Sequence, residues 1–254
     1  MEKQNSYLTN LNDCKNFNEL WKSLHYQLEP FKISSVFYGV LYSQRSIQEI
    51  GILKSIIYKT THPKEYRSYL HHALFSKEAN SEQLRQLLDE DASAKKVLLS
   101  DKEYFLWADP TEWHSSTSVE REIDKKLNSM NLTTGVTIPV RNAEFLSGVG
   151  LGAGNTSAKA FQKIWESSSE EILLLVNKFN KLVQGQHLVG FVNLTPHQLN
   201  VFKDYFYNDD LHVLAKKYNC TQRNIQLILQ GVRKKLNAQN NNQAVVKAFV
   251  LGII

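Results

Sequence analysis

The chain has 254 residues, 42% of them hydrophobic and 22% charged, with 12 Phe, 11 Tyr and 4 Trp, which is globular composition and length enough for two ordinary domains. Disorder and fibrous repeats are excluded, and no apolar run approaches the roughly 18 residues of a membrane span. The net charge of +5 falls entirely in residues 190–254, where eight Lys or Arg stand against three Asp while the rest of the chain balances, as expected of a polyanion-binding module joined to a neutral domain.

The N-terminus (MEKQNSYLTNLNDCKN) is polar where a secretory signal needs an apolar stretch, so a cytoplasmic protein with no membrane partner is expected. Asn16 to Leu28 places Phe17, Leu20, Trp21, Leu24 and Leu28 at helical spacing, and Pro30 closes the segment. Ile33 to Tyr42 and Ile52 to Tyr58 are short β-branched and aromatic runs that read as strands. Pro63 to Phe75 returns to helix with a proline in its first turn. Ser76 to Asp101 is charged and helix-prone, and the aromatics Tyr104, Phe105, Trp107 and Trp113 follow. Val119 to Met130 is helical again. Gly135 to Val140 and Phe145 to Leu151 read as an antiparallel pair, and Thr156 to Leu182 as a long apolar-striped helix. This order predicts an α+β domain over residues 1–183, with a mainly antiparallel sheet and helices on its faces.

The helical period ends at 184–193 (QGQHLVGFVN), which is read as a linker, and residues 194–254 form a second, all-α domain. Thr195 is an N-cap followed by Pro196, and the helix it opens is expected to bury Leu199, Phe202 and Phe206. Asp209 or Asp210 caps a second helix with Leu211, Leu214 and Ala215. Thr221 caps a third, whose Ile225, Leu229, Val232 and Leu236 face a core. The opposite face of that third helix carries Gln222, Arg223, Gln226, Gln230, Arg233 and Lys234, amides and cations suited to base edges and phosphates. Two short helices around a tight turn, the second basic and amide-rich, predict a helix-turn-helix in which Thr221, Gln222, Arg223, Gln226, Gln230, Arg233 and Lys234 bind double-stranded DNA.

From Leu194 to the C-terminus the sequence resembles the DNA-binding domain of LuxR-type transcription regulators. The matching positions are Leu194-Thr195-Pro196, Val201, Ala215, Thr221, Ile225, Lys235-Leu236, Ala244, Ala248 and Gly252. Gln198 and Asn241 stand where the family usually has Glu and often has Arg, which implies a weaker internal polar framework. Such regulators commonly carry an acyl-homoserine lactone sensing domain, an α/β/α sandwich, ahead of the helix-turn-helix. The run Asn131 to Val140 is similar to that domain's Gly-rich strand, with Gly135 at its best preserved glycine. Tyr104-Phe105-Leu106-Trp107 resembles the family's Pro-aromatic-x-Trp, whose Trp hydrogen-bonds the lactone carbonyl. Pro63-Lys64-Glu65-Tyr66 resembles Pro-x-x-Trp, and Leu70 falls where the family has a Tyr. The family's pocket Asp maps to Ala79 counting forward from Tyr66, or to Asp91 counting back from Trp107, and Asp91 is preferred. The resemblance thus implies a ligand site of Tyr66, Leu70, Asp91, Trp107 and Gly135, a small amphiphilic signal, a homodimer and no other cofactor.

Other chemistry finds little support. Gly148-x-Gly150-x-x-Ala153 fits the dinucleotide fingerprint formally, but the parallel strand it requires is replaced by a long helix, so the glycines are read as close approaches to a neighbour or ligand. Cys14 and Cys220 have no metal-ligand spacing, and His62, His114, His187 and His197 fall in different elements. No catalytic constellation is found. The readings left open are a regulator without a ligand, and a small-molecule enzyme with a basic tail.

Overall fold

The computed structural model describes residues 11–41, 56–75, 101–108, 118–141 and 146–254. Ala79, Asp91, Trp113 and His114 lie outside the described residues. The chain divides into two units, Met1–Gln184 and Gly185–Ile254.

The first unit opens with α1 (Phe17–Leu28). Asn16 starts this helix by accepting a hydrogen bond from the Glu19 N–H, and the expected stripe of Phe17, Leu20, Trp21, Leu24 and Leu28 is buried. Pro30 does not simply end it. The proline sits in a 3-10 turn, Glu29–Phe31, closed by Lys32 at φ 61°. Five strands follow, β1 (Ser35–Leu41), β2 (Ile56–Thr60), β3 (Phe105–Leu106), β4 (Gly135–Arg141) and β5 (Leu146–Gly152), in the order β2-β1-β5-β4-β3 with every pair antiparallel. The neighbours of β5 are therefore antiparallel, unlike those of a dinucleotide-binding strand. The helices are α2 (Lys64–Phe75), α3 (Ser118–Ser129) and α4 (Ala158–Leu182).

Side chains alternate along a strand, so the register sorts the sheet into two unlike faces. One carries Val36, Tyr38, Val40, Val136, Ile138, Val140, Val149 and Leu151, all buried. Helices α1 and α4 cover it: the Tyr38 ring meets Phe179 edge-on at 5.1 Å, and Trp21 lies 5.9 Å from the same Phe179. A buried polar set fastens α4 to the sheet here. Tyr38 Oη donates to Asn180 Oδ1 at 2.8 Å, while Gln184 Nε2 donates to Ser147 Oγ at 3.0 Å. The other face presents Ser35, Phe37, Gly39, Gly135, Thr137, Pro139, Gly148, Gly150 and Gly152. Five of these nine residues are glycines, and α2 covers the face through Leu70, which packs with Phe37 and Tyr58. Helices on both faces of an antiparallel sheet make this an α+β unit of sandwich type.

The stretch 184–193, expected as a linker, is helical. A π-helical turn, Val183–His187, runs into α5 (Leu188–Val192), which ends at Asn193 with φ 60°. Next come α6 (Pro196–Tyr207), α7 (Leu211–Lys217), α8 (Gln222–Lys235) and α9 (Asn241–Val250), started by Thr195, Asp210, Thr221 and Asn240, each capping a backbone N–H with its side chain. Val201, Phe202, Leu214, Ile225, Leu229, Val232, Leu236, Ala244 and Ala248 are the buried core. Phe206, expected inside, is 38% exposed and stacks on Phe249. Val201 occupies the buried position instead, because the stripe of α6 turns through 201 and 202 rather than 199 and 206. No helix among the described residues is long and apolar enough to cross a membrane.

Candidate functional site: an aromatic cluster and a basic helix

Four of the five residues expected to hold a ligand, Tyr66, Leu70, Trp107 and Gly135, meet on the glycine-rich face of the sheet. The Trp107 N–H pairs with Gly135 O at 2.9 Å, which continues β3 by one residue and turns the indole onto this face. The ring lies over a floor of glycines. A Cβ on Gly135 would stand 2.7 Å from Trp107 Cε3, and on Gly150 or Gly152 only 3.5 or 3.6 Å from the same indole. The close approach expected at the 148–152 glycines is thus made by a side chain of the chain itself. From above, α2 brings Tyr66 and the buried Leu70, with Phe37 and Tyr58 stacked at 5.5 Å beside them. Asp91 is outside the described residues.

One expectation changes in detail. The Trp107 indole N–H, expected to meet a ligand carbonyl, donates to Thr137 Oγ1 at 2.6 Å across the β3–β4 pair. A second polar group, which sequence reasoning left among scattered histidines, lies at the centre of the cluster. His62 is only 3% exposed, and its Nδ1 shares a 2.8 Å hydrogen bond with Ser35 Oγ. Its ring packs against Phe37 at 6.1 Å, Tyr66 at 5.1 Å and Trp107 at 6.0 Å. Burial among these rings disfavours the charged imidazole and pushes its pKa down to about 4, so it is neutral at physiological pH. The available signal was its place just before the Pro63-x-x-Tyr66 motif. Among the described residues no group of three or more His, Cys, Asp or Glu is placed to hold a metal ion.

In the second unit, α7 and α8 are joined by Tyr218–Thr221, and Asn219 takes a left-handed φ of 48° to make the turn. At about 100° per residue, Gln222, Arg223, Gln226, Gln230, Arg233 and Lys234 fall within an arc of about 120° on α8. All are exposed except Arg233, which is half-buried. Ile225, Leu229, Val232 and Leu236, on the adjoining side of the helix, are buried in the core.

Neighbouring charges have structural work. Lys235 Nζ donates to Gln198 Oε1 at 2.7 Å, and Gln198 Oε1 also accepts the Thr195 N–H to complete a capping box. Gln198 thus makes these bonds as a neutral acceptor, without the charge assistance a carboxylate would give. Asn241 likewise keeps a bond, donating Nδ2 to Tyr205 Oη at 3.3 Å. Lys247 is buried, with its ammonium on the carbonyls of Leu236 and Asn237 at the end of α8.

No family model and no curated protein matches the chain. Solved structures do. SdiA in complex with octanoyl-rac-glycerol superposes with a TM-score of 0.52 at 12% identity, covering 98% of this chain and 94% of that one, and at that identity shows a shared fold. Escherichia coli SdiA in another crystal form gives 0.45 at 14% identity over 100% and 98% of the two chains. CepR2 from Burkholderia cenocepacia, an N-acylhomoserine lactone dependent LuxR family transcription factor, gives 0.48 at 9% identity over 69% and 92%.

Proposed function

We propose that the chain is a cytoplasmic, DNA-binding transcription regulator of LuxR type, controlled by a small amphiphile and acting as a dimer. The observation that carries this reading is the arc of α8: amides and cations gathered on one exposed side of a capped helix, in the unit that holds the whole charge excess. In this reading α7 and α8 are a helix-turn-helix. Thr221, Gln222, Arg223, Gln226 and Gln230 meet base edges or the adjoining backbone, and Arg233 and Lys234 meet phosphates. Tyr66, Leu70, Trp107 and Gly135, with Asp91, form the sensing site, and the fold shared with SdiA bound to octanoyl-rac-glycerol supports an acyl-bearing signal. Val246, Phe249 and Val250 on α9 are exposed beside Phe206, an apolar patch that supports self-association. Ligand binding would order the first unit and shift the population toward the dimer that places two recognition helices in successive major grooves.

A mobility-shift assay with genomic fragments tests the reading, in the presence and absence of octanoyl-rac-glycerol. A regulator binds a subset of fragments about 10³-fold or more tighter than bulk DNA. An enzyme with a basic tail binds all fragments alike.

A further inference from the structure

Helix α8 carries its charges only at its two ends. Arg223 stands in the first turn and Arg233, Lys234 and Lys235 in the last, while residues 224–232 (NIQLILQGV) hold no charge. Along the exposed arc this leaves Gln222, Gln226 and Gln230, spaced four apart and so stacked along the helix with a rotation of about 40° from one to the next. Among the described residues the side-chain amides of Gln226 and Gln230 have no hydrogen-bond partner, and Gln222 Nε2 lies 3.4 Å from His212 Nδ1. Elsewhere in the unit such amides have structural work, Gln198 and Gln243 each accepting a backbone N–H. Beside Gln226, Leu227 is 56% exposed.

We infer that α8 specifies an A·T-rich half-site, read chiefly at its adenines by the three glutamines. This rests on the DNA-binding reading proposed above and names the class of sequence it takes. An amide meets adenine with both of its groups, donating to N7 and accepting from the N6 amine. Guanine instead offers two acceptors, N7 and O6, which suit Arg or Lys, and the cytosine N4 amine suits a carboxylate. The middle of α8 has no cation, and the helix has no Asp or Glu at all. Leu227 adds an apolar surface suited to the thymine methyl group. From Gln222 to Gln230 the helix rises about 12 Å, which spans about four base pairs at about 3.4 Å each. Arg223, Arg233 and Lys234 bracket that window, where they meet phosphates or at most a flanking guanine.

Selection from a randomised duplex library by the full chain, with and without octanoyl-rac-glycerol, tests this. Enriched half-sites are expected to hold about three A·T pairs in a window of about four, and replacing any one of them by G·C should weaken binding about tenfold. Gln226→Arg should convert one adenine position to guanine, and Gln226→Ala should lose the preference at that position alone. Gln226 is exposed, so both variants should keep the helical circular dichroism of the wild type. Enriched half-sites specified by G·C pairs overturn the inference. So does an A·T preference that neither variant alters, because the duplex would then be chosen for its narrow groove or its flexibility and not by the amides. In both of those outcomes sequence-selective binding remains, and the proposed regulator stands. A library that returns unenriched overturns the inference and that reading together.

Discussion

Gly135 is the residue where one added carbon does most harm. Its Cβ would lie 2.3 Å from the Leu151 carbonyl oxygen, a backbone atom that no rotamer change can move, and against the Trp107 ring. Gly135→Ala should therefore destabilise the first unit by about 2–3 kcal/mol and disturb near-UV dichroism from the displaced indole. Gly150→Ala, whose Cβ meets Phe37, Trp107 and His62 at ordinary contact distances of 3.4, 3.5 and 3.8 Å, should stay within about 1 kcal/mol of wild type in the same urea titration. Equal losses at both positions would show that the glycine floor is not specific. His62 gives a pH test with a defined sign. Its folded pKa of about 4 lies below the ordinary 6.5, so between those values the unfolded chain binds more protons than the folded one. The stabilisation is fully present above pH 6.5 and is lost as pH falls through 4. Wild type should lose about 2–3 kcal/mol more than His62→Gln between pH 7 and pH 4.5, and parallel stability curves would place the imidazole in water.

At the scale of elements, α8 separates two kinds of cation. Arg233 and Lys234 lie on the proposed DNA arc, whereas Lys235 is tied to Gln198 and to the carbonyl of Asn193. Arg233→Ala with Lys234→Ala should weaken DNA binding and reduce the slope of log K against log salt by up to about 0.9 per lost phosphate contact. Lys235→Ala should instead lower the melting temperature of the second unit and leave the slope alone. The same elements mark what could be read from sequence. Helices α1, α4, α6, α7 and α8 were legible because their apolar spacing, and for the last three the caps at Thr195, at Asp209 or Asp210 and at Thr221, are local signals. Strand β3 was not, since two residues have no periodicity, and α5 was hidden by the glycines around it. The sheet order and the one-sided row of glycines depend on pairing between distant strands. His62 acquires its meaning only from Ser35, Phe37 and Trp107, which are remote in sequence. Phe206 was placed inside by spacing alone, when the buried stripe runs through Val201 and Phe202 and the Phe206 ring stacks on Phe249 at the surface.

For the whole molecule, the division into two units carries a prediction about autonomy. Every helix from α6 to α9 is capped by its own preceding residue, and the bonds that organise the unit, Lys235 to Gln198, Tyr218 to Asp204 and Lys247 to Asn237, begin and end within it. Its core of Val201, Phe202, Leu214, Ile225, Leu229, Val232 and Leu236 is drawn from the same helices. A fragment of Gly185–Ile254 should therefore be soluble, helical by circular dichroism and cooperative in thermal unfolding. It should also retain the salt slope of the full chain on bulk DNA, because the arc of α8 travels with it, while its DNA affinity should be indifferent to octanoyl-rac-glycerol. Placing the start at Gly190 cuts through α5, so comparison of the two fragments shows whether that short helix belongs to the folding unit: a lower melting temperature for the fragment from Gly190 is expected. A coil spectrum from Gly185–Ile254 would make the second unit dependent on the first. A folded fragment with a flat salt response would move the DNA contacts elsewhere in the chain.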